Sequence, residues 1–304
     1  MTTCASLLHV VLALALSPLL VGIVNRTKAV FAGRHGRPLM QVYYDLAKLW
    51  RKGAVYSRTT TWVFRAGPLV GLAAVLVAVT LVPLGGVLAV AAFPGDLVLL
   101  AYVLALMRFA TVLAALDTGS AFEGMGASRE VQFSLLAEPA LLGALAALAV
   151  SARNLSLSQI YAALYAGGGA PVAGTAMLAA ATLLIVLLVE NARIPIDDPE
   201  THLELTMIHE VMVLDHGGVD LGFILYGAAL KLWVFAALLV GVAVPWRTGH
   251  PLADLAVGLG GMAMAAVAVG VIESTMARLR LVRVPRLLVV ASVLAVVALV
   301  WALR

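Results

Sequence analysis

Residues Val189–Asp220 read VENARIPIDDPETHLELTMIHEVMVLDHGGVD. The stretch holds eight of the chain's sixteen acidic residues and three of its six histidines. It stands between two apolar runs of spanning length, 171–190 and 220–244, in a chain that is 63% hydrophobic and 12% charged. A soluble domain would be nearer half apolar and about a quarter charged, so the composition predicts an integral membrane protein. Charge is expensive at membrane depth. Acids and imidazoles that join two spans therefore form either a solvated loop or a functional site.

Outward from this stretch, further runs of spanning length fall near 4–24, 66–92, 97–116, 131–151, 254–275 and 285–303. The eight runs predict an all-α polytopic protein of about eight transmembrane helices. Recurring segments of about 20 apolar residues do not match the roughly 10-residue alternation of a membrane barrel. No internal repeat or Ser-rich linker divides the chain, so a single transmembrane domain over 1–304 is expected. The first run has no basic residue before it and no Ala-x-Ala pattern after it, which reads as a retained span. A lone cysteine, Cys4, excludes disulfides within the chain and any thiolate-held cluster carried by it alone.

Lys and Arg give the orientation. The connections near 25–65, 117–130, 191–219 and 276–284, with Arg286, hold fifteen of the twenty basic residues. The positive-inside rule puts these loops in the cytoplasm and both termini outside, in the inner (cytoplasmic) membrane of a cell. No nucleic-acid partner is expected.

The first of these loops opens with GRHGRP, Gly33–Pro38, a shaped turn, and carries Arg34 and Arg37. From Leu39 an interfacial amphipathic helix is predicted, with Gln41, Asp45 and Lys48 on its polar face. A plain surface helix is the competing reading. The second loop, LDTGSAFEGMGASRE from Leu116, gathers Asp117, Glu123 and Glu130 among glycines. Beyond it Glu138 enters the fourth span, just before Pro139. Such a carboxylate needs a hydrated cavity, a proton or a partner such as Arg108. Lys231, about mid-span, needs either a water file or a static ion pair, and Glu273 sits late in the seventh span.

In the stretch itself, Pro195 and Pro199 bracket Asp197 and Asp198, which predicts extended chain over 194–199. A helix is predicted from Asp198 or Pro199 to Gly217–Gly218. It would stack Glu200 and Glu204 on one face and His202 and His209 on another, with Glu210 and Asp215 following. The two histidines lack an i,i+4 spacing and a third ligand, so no metal site is expected. Closely spaced carboxylates and imidazoles instead fit the handling of protons.

Glu190–Leu205, ENARIPIDDPETHLEL, resembles the ETNRAPFDLPEAESEL stretch of the complex I membrane subunit called subunit 1 or H. Glu190, Arg193, Pro195, Asp197, Pro199, Glu200, Glu204 and Leu205 agree in register. The family's first loop, GR-x-GP followed by an LLQPLADGLKLLLKE-like helix, is similar to Gly33–Gly36 and Leu39–Gly53. There Gln41, Asp45 and Lys48 are in step, and Glu138 falls on the family's glutamate of the fourth span. THLELTMIHEVMVLDHGG and LDTGSAFEGMGASRE look like the branch of formate hydrogenlyase and other group 4 membrane-bound [NiFe] hydrogenases. Quinone-reducing members tend to end this segment in a GYHVEYSG-like sequence. Arg37–Pro38 interrupts the family's GP, and Glu123 stands where a small residue is expected.

The resemblance implies a coupling and anchoring subunit without a catalytic residue or redox cofactor of its own. Nickel–iron and iron–sulfur groups would reside on hydrogenase-like large and small subunits and iron–sulfur subunits at the cytoplasmic face. Antiporter-like membrane subunits and the bilayer would complete its surroundings. Under it, Glu190, Asp197, Glu200 and Glu204 form a loop relay for H⁺ or Na⁺, organised by Arg193. Glu138 and Lys231 lead inward, while Asp198, His202, His209, Glu210, Asp215, Asp117, Glu130 and Glu273 flank the path. Arg34, Arg37, Gln41, Asp45 and Lys48 would face a partner or a quinone. The alternatives are a quinone-binding subunit of a respiratory NADH:quinone oxidoreductase, a stand-alone ion transporter and a purely structural anchor.

Overall fold

A computed structural model describes residues 2–167, 169–197 and 207–304. Ten α-helices follow one another among them: α1 (Thr2–Phe31), α2 (Gln41–Trp50), α3 (Trp62–Leu81), α4 (Asp96–Asp117), α5 (Ala121–Ala152), α6 (Leu157–Tyr165), α7 (Gly169–Glu190), α8 (Gly218–Ala243), α9 (Pro251–Thr275) and α10 (Val284–Ala302). All but α2 and α6 are long and apolar enough to cross a membrane. No strand forms among the described residues. The chain is an all-α polytopic membrane protein, as its apolar runs predict.

Helix α8 is the centre of the bundle, with Leu230–Leu238 buried without interruption. Around it pack α1, α3, α7 and α9, with α4 behind α3, and α5 and α10 behind α7. The described connections 32–61, 118–120, 191–197, 207–217 and 276–283 meet at one end. Asp117 accepts the backbone N–H groups of Thr61 (2.7 Å) and Phe64 (3.2 Å) there and so caps α3. Arg129 donates to the Met207 carbonyl at 2.7 Å, and Leu279 N–H to that of Pro195 at 2.8 Å.

The amphipathic helix expected after the first loop is α2. Its apolar side rests on α1 and α8: Leu46 is buried, Tyr43 donates to the Ala15 carbonyl, and Trp50 meets Tyr226 edge-on with ring centres 6.0 Å apart.

Three local expectations are corrected. Residues 121–130, read as loop, are the first turns of α5. At 32 residues that helix is about 48 Å long against a hydrocarbon core of roughly 30 Å, so its polar end projects from the bilayer. The helix expected from Asp198 to Gly217 is absent from its described half, where only a 3-10 turn forms at Glu210–Val213. Ile208 and His209 both give their backbone N–H groups to Asp197 Oδ2, each at 3.1 Å, which turns the chain back around that carboxylate. Extended chain over 194–197 is replaced by a turn in which Ile196 N–H donates to the Arg193 carbonyl at 2.9 Å; the Ile194–Pro195 peptide is cis. The short α6 arises in a segment with no predicted element. Its start is capped by buried Asp96, which accepts from Ser156 Oγ and Leu157 N–H, both at 2.8 Å.

Candidate functional site

Helices α4, α5, α7 and α8 each bring an ionisable side chain into the apolar bundle, and these side chains converge. On α5, Glu130, Ser134 and Glu138 are spaced four apart and share one face, with Ser134 Oγ 3.4 Å from a Glu130 oxygen. Arg108 of α4 lies across that face. Its Nη1 donates to Glu138 and its Nη2 to Glu190 at the end of α7, while Nε is 3.3 Å from Glu130. One guanidinium thus meets three carboxylates. The other oxygen of Glu190 is 2.9 Å from Lys231 Nζ on α8.

The chain of charges continues out of the bundle. The second oxygen of Glu130 is 3.0 Å from His209 Nε2, and His209 Nδ1 is 3.5 Å from Asp197 Oδ2. These are charge contacts rather than aligned hydrogen bonds. Asp197 Oδ1 accepts from Arg278 Nη2 at 2.9 Å. An unbroken series therefore runs Lys231–Glu190–Arg108–Glu130–His209–Asp197–Arg278, with Glu138 as a branch at Arg108. Burial is uneven along it: the side chains of Glu130 and Glu190 are buried, whereas that of Glu138 is 45% exposed.

A second group lies beside the first. The buried Glu273 of α9 is 3.4 Å from Arg193 Nη1 and 3.2 Å from Lys28 Nζ at the end of α1. Arg193 belongs to the turn that presents Asp197, so the two groups share that turn.

Buried ion pairs survive only when both partners stay in place, and removal of one leaves an uncompensated charge. Outside the spans, burial opposes the charge on His209, but the Glu130 and Asp197 carboxylates outweigh it and raise the imidazole to about 9. His209 is accordingly a cation at neutral pH. Burial alone would raise Asp197; the His209 and Arg278 charges hold it below the usual carboxylate range.

The structure brings together Glu130, Glu138, Glu190, Asp197, His209 and Lys231, and separately Arg193 with Glu273. It pairs Lys231 with Glu190 and gives Glu138 to Arg108. Asp198, Glu200, His202 and Glu204 lie outside the described residues. Asp117 stands apart as the cap of α3, where it also accepts from Thr61 Oγ1 at 2.8 Å. Buried Glu123 accepts the backbone N–H of exposed Asp215 at 3.1 Å, and Glu210 opens the 3-10 turn. On α2, Gln41 donates to Asp45 at 2.9 Å while Lys48 is exposed. Arg34 and Arg37 line a groove near Lys28. Among the described residues no group of three or more His, Cys, Asp or Glu side chains is placed to hold a metal.

Two members were not singled out as site residues from sequence. Arg108 is the one charged residue within the 97–116 run, a signal strong enough to mark it. Arg278 lies among several arginines of the last loop and carried no such signal.

A family model described as NADH dehydrogenase matches residues 4–303. Hydrogenase-4 component C of Escherichia coli (strain K12) is 33% identical over 279 residues, covering 90% of this chain and 87% of that protein. Formate hydrogenlyase subunit 4 of the same organism is 31% identical over 290 residues and 92% of each chain. Among solved structures, a chain of the membrane-bound sulfane sulfur reductase, an archaeal respiratory membrane complex, has a TM-score of 0.84 over 99% of both chains. At 22% identity that likeness is one of fold.

Proposed function

The chain belongs to the NADH dehydrogenase family, and on that premise we propose that it is the coupling and anchoring membrane subunit of an ion-translocating redox complex of the group 4 hydrogenase or formate hydrogenlyase kind. Its similarity to hydrogenase-4 component C and formate hydrogenlyase subunit 4 supports the class of complex. The observation that carries the coupling role is Arg108, whose guanidinium is shared by carboxylates of two helices and linked through Glu130 and His209 to a loop outside the bundle.

In this reading the soluble arm docks on the end of the bundle formed by 41–61, 191–197, 207–217 and 276–283, and the nickel–iron and iron–sulfur groups belong to that arm. The Lys and Arg distribution makes this end cytoplasmic, with both termini outside and the chain in the cell's inner membrane. A redox-driven shift of the 207–213 segment moves His209 away from Glu130. Glu130 then loses its contact with the loop cation, and a proton replaces that charge on one of the three carboxylates. Asp198, Glu200, His202 and Glu204 extend the relay on the loop side.

Glu138 is the outward branch. Its half-exposed carboxylate follows exposed Leu135 by three residues on α5, and Phe109, next to its partner Arg108 on α4, is exposed as well. A carboxylate open to lipid at membrane depth is costly, so this face suits a neighbouring membrane subunit that receives the proton.

The test is translocation measured beside redox turnover in the reconstituted complex. Glu138→Gln and Glu190→Gln are expected to abolish proton movement, read with a pH-sensitive dye, while electron transfer in the soluble arm continues. Undiminished pumping by both variants would overturn the assignment.

A further inference from the structure

Beside the charged series, the ends of α1 and α9 and the turn after α1 enclose a groove of about 490 Å³. Lys28, Arg34 and Arg37 line it, with the polar side chains of Asn25 and Ser274. Nothing in the coupling path uses Arg34 or Arg37. We propose that this groove binds the phosphodiester headgroup of an anionic membrane lipid.

The groove is built rather than incidental. The GRHGRP turn folds back on α1 through two glycines at positive φ, Gly33 and Gly36, both at 65°. A side chain at Gly36 would strike the Ala29 methyl, 2.4 Å from where its Cβ would be, so only glycine lets the turn lie this close. Arg26 donates to the His35 carbonyl and pins the turn from below. The two arginines are thereby held at the groove while both stay exposed.

Its charge favours an anion. A helix C-terminus ordinarily repels one, but here the last carbonyls of α1 are occupied. Lys28, Val30 and Ala29 O accept from Ala32, Gly33 and Arg34 N–H at 3.0, 3.0 and 2.9 Å. Among the described carboxylates, Glu273 near Lys28 also meets Arg193. Cations in a pocket between membrane helices on the side rich in Lys and Arg match a lipid headgroup.

Position separates a lipid from an acidic protein segment. The groove floor is made by two membrane-spanning helices, and Val30 and Phe31, exposed at 65% and 55%, stand where acyl chains would lie. A protein docking on the loop end would leave this apolar flank uncovered.

The experiment uses the full chain in neutral detergent, with lipid retention read by native mass spectrometry for phosphatidylglycerol and phosphatidylcholine of matched acyl chains. Wild type is expected to retain the anionic lipid preferentially. R34Q/R37Q should lower that retention roughly ten- to thirtyfold, whereas R34K/R37K keeps most of it. R51Q/K52Q, which removes two exposed cations from the same side but outside the groove, should leave it unchanged. No loss in R34Q/R37Q, or an equal loss in R51Q/K52Q, would overturn the proposal. So would displacement of the lipid by millimolar inorganic phosphate, which would make the free ion the ligand, or by a glutamate-rich peptide, which would make the groove a protein contact. Should the glutamine pair fail to fold, wild-type retention is titrated with sodium chloride. Loss with rising salt supports the site, and retention unmoved by salt overturns it.

Discussion

Glu130 and His209 meet where the projecting end of α5 passes the segment that follows α7, with a carboxylate oxygen 3.0 Å from Nε2. The contact joins a membrane helix to a loop 79 residues further along the chain, and the other face of the same imidazole meets Asp197. His209 is the cation that joins buried Glu130 to the loop carboxylate Asp197, so its protonation should govern both stability and coupling.

That link has a defined pH dependence. Folding raises His209 from 6.5 to about 9. A raised pKa contributes stability that is fully present below 6.5 and lost as pH rises through about 9, an effect on the order of 3 kcal/mol. Asp197 is depressed, so its contribution is present above its ordinary value and is lost as pH falls through the folded one. Thermal unfolding of the purified protein should show a melting temperature that declines between pH 7 and pH 10. In His209→Gln this alkaline decline should largely disappear, and a parallel decline in the variant would contradict the assignment.

Arg108 should be the most costly single residue to neutralise. Arg108→Gln strands Glu130, Glu138 and Glu190 together, and loss of one partner of a buried pair costs about 3–5 kcal/mol. Arg108→Lys keeps the charge but cannot serve three carboxylates with one planar fork, so an intermediate loss is expected. Melting temperatures in the order wild type, lysine, glutamine would bear this out; a glutamine variant as stable as wild type would refute it.

Glu190 and Lys231 should be thermodynamically coupled. Glu190→Gln leaves Lys231 unpaired in the bundle core, and Lys231→Met leaves Glu190 with Arg108 alone. The double variant removes both charges and should recover about 1–3 kcal/mol relative to the sum of the singles. Proton translocation should not recover with it. A double variant that regained stability and translocation together would make the pair structural only.

How much of this was legible beforehand follows from the range of each interaction. Eight spans, the helix α2 and the acids Glu138, Glu190 and Asp197 stand out because apolar length and isolated charge are local signals. Of the pairings, Glu138 with Arg108 was legible as two isolated span charges, and the rest were not. Arg108 finds Glu190 across 82 residues, and Asp197 finds Arg278 across 81, distances at which spacing carries no register. Glycine and charge at Glu123–Arg129 suggested a loop because they usually do. There the helix continues, since Gly126 is packed beneath the 207–213 segment. The two prolines around Asp197 suggested extended chain, but backbone hydrogen bonds to the Arg193 carbonyl and the Asp197 carboxylate dictate a turn.

The packing at Gly126 gives a test of the loop's position that leaves every charged residue intact. A Cβ there would lie 2.3 Å from Val211 Cγ1 and 2.9 Å from the Ile208 carbonyl oxygen, so Gly126→Ala must push the 207–213 segment off α5. Such overpacking costs about 1–3 kcal/mol. It also withdraws His209 from Glu130, because His209 follows Ile208 directly. Gly124, on the same helix, has open space for at least 4 Å around the place an added methyl would take, and Gly124→Ala should instead stabilise by about 0.5–1 kcal/mol through helix propensity. The expected pair of outcomes is a G126A variant with lower melting temperature and translocation reduced more than redox turnover, beside a fully coupled G124A. Equal coupling in both would mean that the contact between the loop and α5 does not transmit the redox change.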